Sequence, residues 1–438
     1  MKISKPQLSF MQIINMNVGF FGIQYSFGLQ QSAINPIYDF LGAKPDEIPL
    51  LNLAGPVTGL IIQPIIGVLS DGTWHPRFGR RKPYFFIGAL LCSICLFLYP
   101  FSSSLWMAAG LLWVLDAANN TAMEPYRAFI ADKLPAPQLA TGFLTQSFFT
   151  GLGITLANIS LFVFQKYIPG KLGALPYWVF GSFFLGAVCS ILSVLWSMAK
   201  TTEIAPSAEE LALLKAQKKG IFQPFIEIGE AIFHMPKIIW QLGLVYLFQW
   251  YALFCYWQNA SKSIALSVWK TSPTENKTLY EEAVGWTGLV NGWYNMVTFL
   301  SAFGLVYLAK KMGPRKLHIC CLLMAGLALL YFPFITNKYL LFAPMTGFGI
   351  AWASMMGIPY LMVVHDIPKE KYGVYMGIMN MMIVIPMIFQ TMSFGFILKH
   401  FLNNDPRNAI LFAGVLLLLA SAATLLIKES KPLAESEG

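Results

Sequence analysis

Apolar runs of about 20 residues recur along this chain, separated by short polar stretches. None shows the strict two-residue alternation of a barrel strand, so the runs predict helices that satisfy their own backbone groups. Twelve spans are expected, over 9–35, 49–70, 84–101, 105–132, 139–164, 176–199, 237–264, 284–309, 317–335, 338–364, 371–398 and 408–427. The long polar interval at 200–236 divides them, giving an expected six-helix bundle over 1–199, a linker over 200–236 and a second bundle over 237–438. Within the linker, Ser207 and Glu210 precede Leu211, Leu213 and Leu214, with Gly220 beyond; this is a capping box opening a short helix closed by glycine. Ile226, Ile228 and Phe233 predict a second short segment lying on the inner membrane surface.

Composition strengthens the picture. The 438 residues are 56% hydrophobic and 12% charged, against about 25% charged in a soluble domain. An all-α integral membrane protein follows. The net charge of +9 does not mark a nucleic-acid binder, because the basic residues cluster in loops between spans. With the N-terminus placed inside, 21 of the 30 Lys and Arg residues fall on the inner side and 9 outside. Both termini are therefore expected in the cytoplasm of a multi-pass protein of the cell (inner) membrane. Cys92 and Cys95 lie one turn apart with no His or Cys partner nearby and read as packing residues.

The fourth span carries the most informative polar pattern. Asp116, Asn119, Asn120, Glu124 and Arg127 fall within an arc of about 140° at 100° per residue. An ionised carboxylate at the bilayer centre costs about 2.5–3.5 kcal/mol on insertion scales, so the stripe should turn from lipid toward a wet cavity or a partner. A buried polar helix contact is the plain alternative. Intramembrane acids facing water are the usual proton sites of coupled transporters, and Asp116, with Glu124 and Arg127, is assigned to proton coupling.

An internal repeat gives the topology. Gly79 to Lys82 reads GRRK and Gly313 to Lys316 reads GPRK, a shift of 234 (313 − 79). Pro125, Tyr126 and Asp132 recur at the same shift as Pro359, Tyr360 and Asp366 (359 − 125, 366 − 132). Two loops sharing one offset place two bundles in parallel repeat, the arrangement of the major facilitator fold. The loop SDGTWHPRFGRRKP brings Asp71 to Arg77, Arg80, Arg81 and Lys82. Positive-inside anchoring explains the arginines but not the acid. The expectation is a cytoplasmic gate of Asp71, Arg77, Arg80, Arg81 and Asp132, with Arg315 and Asp366 as repeat counterparts.

The run from Gly22 to Pro83 resembles the plant sucrose transporters and their animal and bacterial relatives, proton-coupled sugar symporters of the major facilitator superfamily. The matching residues are Gln24, Leu29-Gln30, Pro36, Leu41-Gly42, Gly55-Pro56-Val57, Gln63-Pro64, Gly67, Ser70-Asp71 and Arg77-Phe78-Gly79-Arg80-Arg81 before Pro83. Leu115 to Asn120, Pro125, Arg127-Ala128 and Ala131-Asp132 match too. The resemblance implies proton–sugar symport, with Asp116 as proton carrier and Arg127 important for transport. Two departures shift the expected substrate. Position 124 is Glu where plant members carry an amide, and the plant-type Arg-Glu pair has no match around Val284 to Thr287. Maltose or another α-glucoside becomes the better expectation.

A sugar site needs amides for hydroxyls and aromatic faces for the ring. The candidates are Gln24, Gln30, Asn119, Asn120 and Gln146 in the first half. The second half offers Gln249, Tyr256, Trp257, Asn259, Asn291, Asn295 and Asn380, with Trp250, Tyr251 and Gln390 nearby. No nucleophile elbow, P-loop, dinucleotide fingerprint or paired metal ligands are present in the sequence, so neither enzyme, cofactor nor metal site is expected. The expected partners are a small sugar, protons and membrane lipid, with no nucleic acid, in a monomer that imports a disaccharide by alternating access. A passive facilitator, a proton-driven exporter of lipophilic compounds and a non-transporting sugar sensor are the alternatives.

Overall fold

The structure, a computed structural model, describes residues 5–42, 51, 53–173, 175–216, 223–272 and 275–428. Among these, the first half forms α1 (Phe10–Phe40), α2 (Ala54–Asp71), α3 (Lys82–Leu98), α4 (Leu105–Lys133), α5 (Leu139–Tyr167) and α6 (Tyr177–Lys200). The linker forms α7 (Ala208–Ala216) and α8 (Gln223–Phe233). The second half forms α9 (Lys237–Ile264), α10 (Lys277–Met312), α11 (Pro314–Tyr331), α12 (Phe342–Val363), α13 (Tyr372–His400) and α14 (Pro406–Thr424). Strands enter only as a two-residue antiparallel pair between α5 and α6, with Leu172 opposite Leu175.

Twelve long helices stand where twelve spans are expected, and the differences have local causes. The expected 284–309 begins earlier, at Lys277, because Asn276 caps α10 by accepting a hydrogen bond from the Leu279 amide. The expected 49–70 begins at Ala54; residues 43–50 and 52 lie outside the described residues. Ten helices are long and apolar enough to cross a membrane by length and composition. The other two long helices are α1, which carries Gln24 and Gln30, and α4, which carries Asp116 and Glu124. Ser207 and Glu210 make the reciprocal bonds of a capping box at the start of α7, and Gly220 lies outside the described residues.

Contacts divide the chain into two compact units. The first comprises residues 1–235 with 367–381, and the second 236–366 with 382–438. The linker and the first ten residues of α13 thus pack with the first half. In the first unit α1 pairs with α6, α2 with α4, α3 with α4 and α3 with α6. In the second, α9 pairs with α14, α10 with α12, α11 with α12 and α11 with α14. These four pairings recur between the units at equivalent helices, whereas the extensive packing of α1 on α5 in the first unit has no equally extensive counterpart between α9 and α13 among the described residues. Pro125 and Pro359, the repeat-related prolines, both lie inside helices, α4 and α12.

Close helix approach fixes α4. A Cβ on Gly88 of α3 would meet the Ala118 carbonyl oxygen at 2.7 Å and the Ala122 Cβ at 2.8 Å. The α4 segment bearing Asp116 and Asn119 is thereby held backbone-close to α3. Gly88→Val should overpack this seam at a cost of about 1–3 kcal/mol. A lowered melting midpoint of the purified protein checks it; an unchanged midpoint would show that the seam can yield.

Candidate functional site

The polar arc of α4 is buried throughout, but it does not line one surface. A helix inside a bundle meets neighbours on both flanks, and an arc of about 140° is wide enough to reach more than one. Asp116 and Asn120 turn to α2. Asp116 Oδ2 accepts from the Thr58 hydroxyl and, at 3.2 Å, from Asn120 Nδ2, which also donates to Thr58 Oγ1 at 3.0 Å. Gln63 donates in turn to the Asn120 side-chain carbonyl. Asn119 turns instead to α1, donating to Ser26 Oγ at 2.8 Å. One to two turns on, Glu124 Oε1 pairs with Arg127 Nη1 at 2.6 Å, and Arg127 reaches Asn380 Oδ1 at 3.4 Å. Asn380, expected with the second-half sugar ligands, packs in the first unit and belongs to this cluster. The two acids therefore differ in kind. Glu124 faces a guanidinium; the hydrogen-bond partners of Asp116 are a neutral hydroxyl and a neutral amide.

Gln24 and Gln146 are buried, and Gln146 donates to the Tyr126 carbonyl at 3.5 Å. The Gln30 amide nitrogen is buried with no partner among the described residues.

Beyond the end of α2, Arg81 brings together residues expected to form a cytoplasmic gate. Its side chain is 0% exposed, with Nη2 2.6 Å from Asp71 Oδ1, Nε 2.8 Å from Asp132 Oδ2 and Nη1 2.6 Å from Ser70 Oγ. Both Asp71 oxygens also accept backbone N–H groups, Gly373 and Val374, each at 2.9 Å. That places a carboxylate at the N-terminus of α13, where unpaired amides and the helix dipole favour negative charge. The approach requires Gly67 and Gly373: a Cβ on Gly67 would lie 2.3 Å from the Gly373 carbonyl oxygen. Glu203, a linker residue that sequence reasoning missed, accepts from the amides of Arg80, Arg81 and Lys82 at 2.9–3.2 Å and fixes the start of α3. Arg80 enters through its backbone and lines a cavity of about 250 Å³ beside the gate, together with Lys5, Asp132, Glu203 and Tyr372.

Two expected gate residues stand elsewhere. Arg77 is exposed at the loop tip and lies over the Phe78 ring, because the bridge between His75 and Gly79 turns the tip outward; it is not part of the Arg81 cluster. Arg315, the repeat counterpart of Arg81, donates to the Thr424 and Leu425 carbonyls at the end of α14. The counterpart of Asp71 (71 + 234) is Leu305, which is buried and apolar, so the second unit cannot rebuild the Asp71 pairing. Asp366 lies in the turn after α12.

In the second unit, three indoles gather. The rings of Trp250 and Trp257 each lie 5.7 Å from Trp352 and 6.5 Å from one another. Trp257 donates to the Tyr294 hydroxyl, and Tyr256 to Asn291 Oδ1 at 2.9 Å. The Trp250 and Trp352 ring nitrogens, both amide atoms of Gln249 and Asn295 Oδ1 are buried without partners among the described residues. Asn259 and Asn295 spend their amide nitrogens on carbonyls of their own helices. Tyr251 departs from the indoles, bonding Ser393 and packing on Phe412. Trp352 was missed because its helix is otherwise almost wholly apolar. Gln63 had a usable signal, since an amide inside a span needs a partner.

The family model described as Major Facilitator Superfamily matches residues 16–391 and 260–437. The chain belongs to this superfamily. Among its relatives, this facilitator is 33% identical over 133 residues to sucrose transport protein SUT5 of Oryza sativa subsp. indica, covering 25% of each chain. It is 25% identical over 262 residues to sucrose transport protein SUC4 of Arabidopsis thaliana, covering 53% of this chain and 50% of that one. Its identity to the general alpha-glucoside permease of Schizosaccharomyces pombe is 26% over 277 residues, 58% of this chain and 48% of that one. The facilitator thus matches a quarter to a half of the length of these curated relatives. Two solved structures share its fold. One is the transporter FucP in the outward conformation, at TM-score 0.70 and 12% identity, covering 96% of this chain and 99% of that one. The other is the proton:xylose symporter XylE bound to 6-bromo-6-deoxy-D-glucose, at 0.66 and 14%, covering 96% of each chain. The chain is a multi-pass membrane protein of this superfamily.

Two predictions follow from the gate. Arg81→Ala leaves Asp71 and Asp132 without their cation, which should destabilise the first unit by about 3–5 kcal/mol. Protease sensitivity of the 72–81 loop and a lower melting midpoint read it, and Arg81→Lys should recover only part, since one ammonium cannot match a planar fork. The second concerns Lys5, which donates to the Ala131 carbonyl beside Asp132. Burial lowers its ammonium from 10.5 to about 8, with Asp132 opposing and Lys369 adding to the fall. A lysine docked with a lowered pKa is disfavoured in its charged form, so docking strengthens as pH rises from about 8 toward 10.5 and is level below about 8. The Leu8 amide, which bonds Gln138 Oε1, should show hydrogen-exchange protection rising over that window after correction for intrinsic rate. In Lys5→Met it should not.

Proposed function

We propose that this transporter carries an α-glucoside, maltose or a sucrose-like disaccharide, into the cell together with a proton, by alternating access. The observation that carries the reading is Asp116, a carboxyl buried in a spanning helix whose hydrogen-bond partners are neutral. A hydroxyl can donate to a carboxylate or accept from a carboxylic acid, so Thr58 can serve Asp116 in both protonation states. The Asn120 amide donates to either. Glu124, opposite Arg127, can position the guanidinium, and Asn119 Oδ1, buried without a partner among the described residues, can meet a sugar hydroxyl.

The sugar-binding half of the proposal rests on the second unit. A buried polar group without a partner costs about 1–3 kcal/mol, so such groups are expected to meet water or a ligand. Gln249 and the Trp250 and Trp352 ring nitrogens supply hydrogen-bond groups, and the indole rings supply faces for a pyranose. The sucrose transporters and alpha-glucoside permease among the relatives support this substrate class, and the symporters among the solved structures are consistent with coupling. The cytoplasmic placement of both termini, from the Lys and Arg distribution, makes Arg81 the centre of the inner gate.

Proteoliposomes with an imposed pH gradient, offered maltose, sucrose and glucose, test the proposal. A moved charge is worth about 2.3 kcal/mol per 100 mV, enough for roughly fifty-fold accumulation. Asp116→Asn should keep counterflow exchange yet equilibrate sugar without accumulating it; full accumulation in that variant would falsify the proton assignment. Gln249→Ala should raise KM about five- to thirty-fold, the equivalent of about 1–2 kcal/mol. Sugar uptake without alkalinisation of the medium would make the protein a passive facilitator instead.

A further inference from the structure

Helix α8 presents an apolar face that no other described residue covers. Phe225 is 55% exposed, Ile226 53% and Phe233 85%. At about 100° per residue these three fall within one arc of about 100°, with Gly229 between them. The sequence alone had suggested Ile228 for this face; it turns the other way and is half-buried. The helix is held in place from its opposite side. Ala231 is buried and its carbonyl accepts from the Tyr375 hydroxyl, one turn into α13, and α8 packs against α2.

Those two anchors fix its depth. Tyr375 lies at the N-terminal end of a spanning helix, and Leu69 is exposed in the last turn of α2. Three residues, His234 to Pro236, separate α8 from α9, and three residues reach at most about 10 Å. Trp240, in the first turn of α9, is 56% exposed, as suits an indole at a membrane surface. A helix tied at both points to the ends of spanning helices lies at the level where hydrocarbon meets water. Lys237, the first residue of α9, can meet phosphate headgroups.

We propose that α8 is a membrane-interface anchor whose face of Phe225, Ile226 and Phe233 seats between the phospholipid headgroups and acyl chains on the linker side. The expected depth is about 5–10 Å. Because the Asp71-capped amides of Gly373 and Val374 lie in the same first turn of α13, lipid packing against α8 bears directly on the gate. The proposal does not depend on which solute is carried.

Phe233→Cys in a Cys320→Ser background, Cys320 being an exposed native thiol, is labelled with an environment-sensitive fluorophore and reconstituted in phosphatidylcholine vesicles. Glu230→Cys, at the edge of the arc, serves as the water-facing reference. Quenching at position 233 by lipid bearing a shallow nitroxide should exceed that at 230 by about threefold, with iodide showing the reverse order. Equal and strong iodide quenching at both sites would overturn the proposal, placing the face in water. Shielding of position 233 from both quenchers would overturn it too, since a second protein surface would then be the cover. Phe225→Cys provides an independent site and should follow 233.

Discussion

A fully buried guanidinium is the constraint around which the first unit is arranged. Arg81 meets two carboxylates and a hydroxyl, and those groups sit at the ends of α2 and α4. Through Asp71 the same cluster reaches the first amides of α13. Burying such a set contributes little net stability, because desolvation offsets much of the attraction. What it imposes is geometry: the cation is satisfied in one arrangement and badly placed in any other. A contact of that kind changes all at once rather than by degrees.

The rest of the polar inventory obeys the same rule with different outcomes. Lysines at helix ends satisfy carbonyls: Lys82 donates to Met198 and Lys133 to Thr202, both at the end of α6. Glu124 has its cation. Asp116 has neutral partners, and in the second unit the Trp250 and Trp352 ring nitrogens and the Gln249 amide have none among the described residues.

Much of this was legible before any coordinates. Spans follow from apolar length, and the burial of the polar arc of α4 from the cost of an acid in hydrocarbon. The sequence could not say that a 140° arc would divide between α1 and α2, because helix neighbours are set by packing. Glu203 was illegible for another reason: a lone acid in an irregular linker has no period to betray that it will cap a helix more than a hundred residues away. Arg77 misled because one basic cluster contains both the residue that turns in and the one that turns out, and only the turn at Gly79 (φ 80°) separates them. Trp352 carried no signal against its apolar helix, and it became informative only when two other indoles came to rest beside it.

Leu305 holds a last consequence. Duplication supplied two copies of one plan, yet grease stands in the second where charge stands in the first, and the surviving arginine there has turned to finishing a helix end. The copies have divided their labour. Substitutions around that ionic knot therefore strike one copy alone, since the sister half fills the matching position with an apolar side chain.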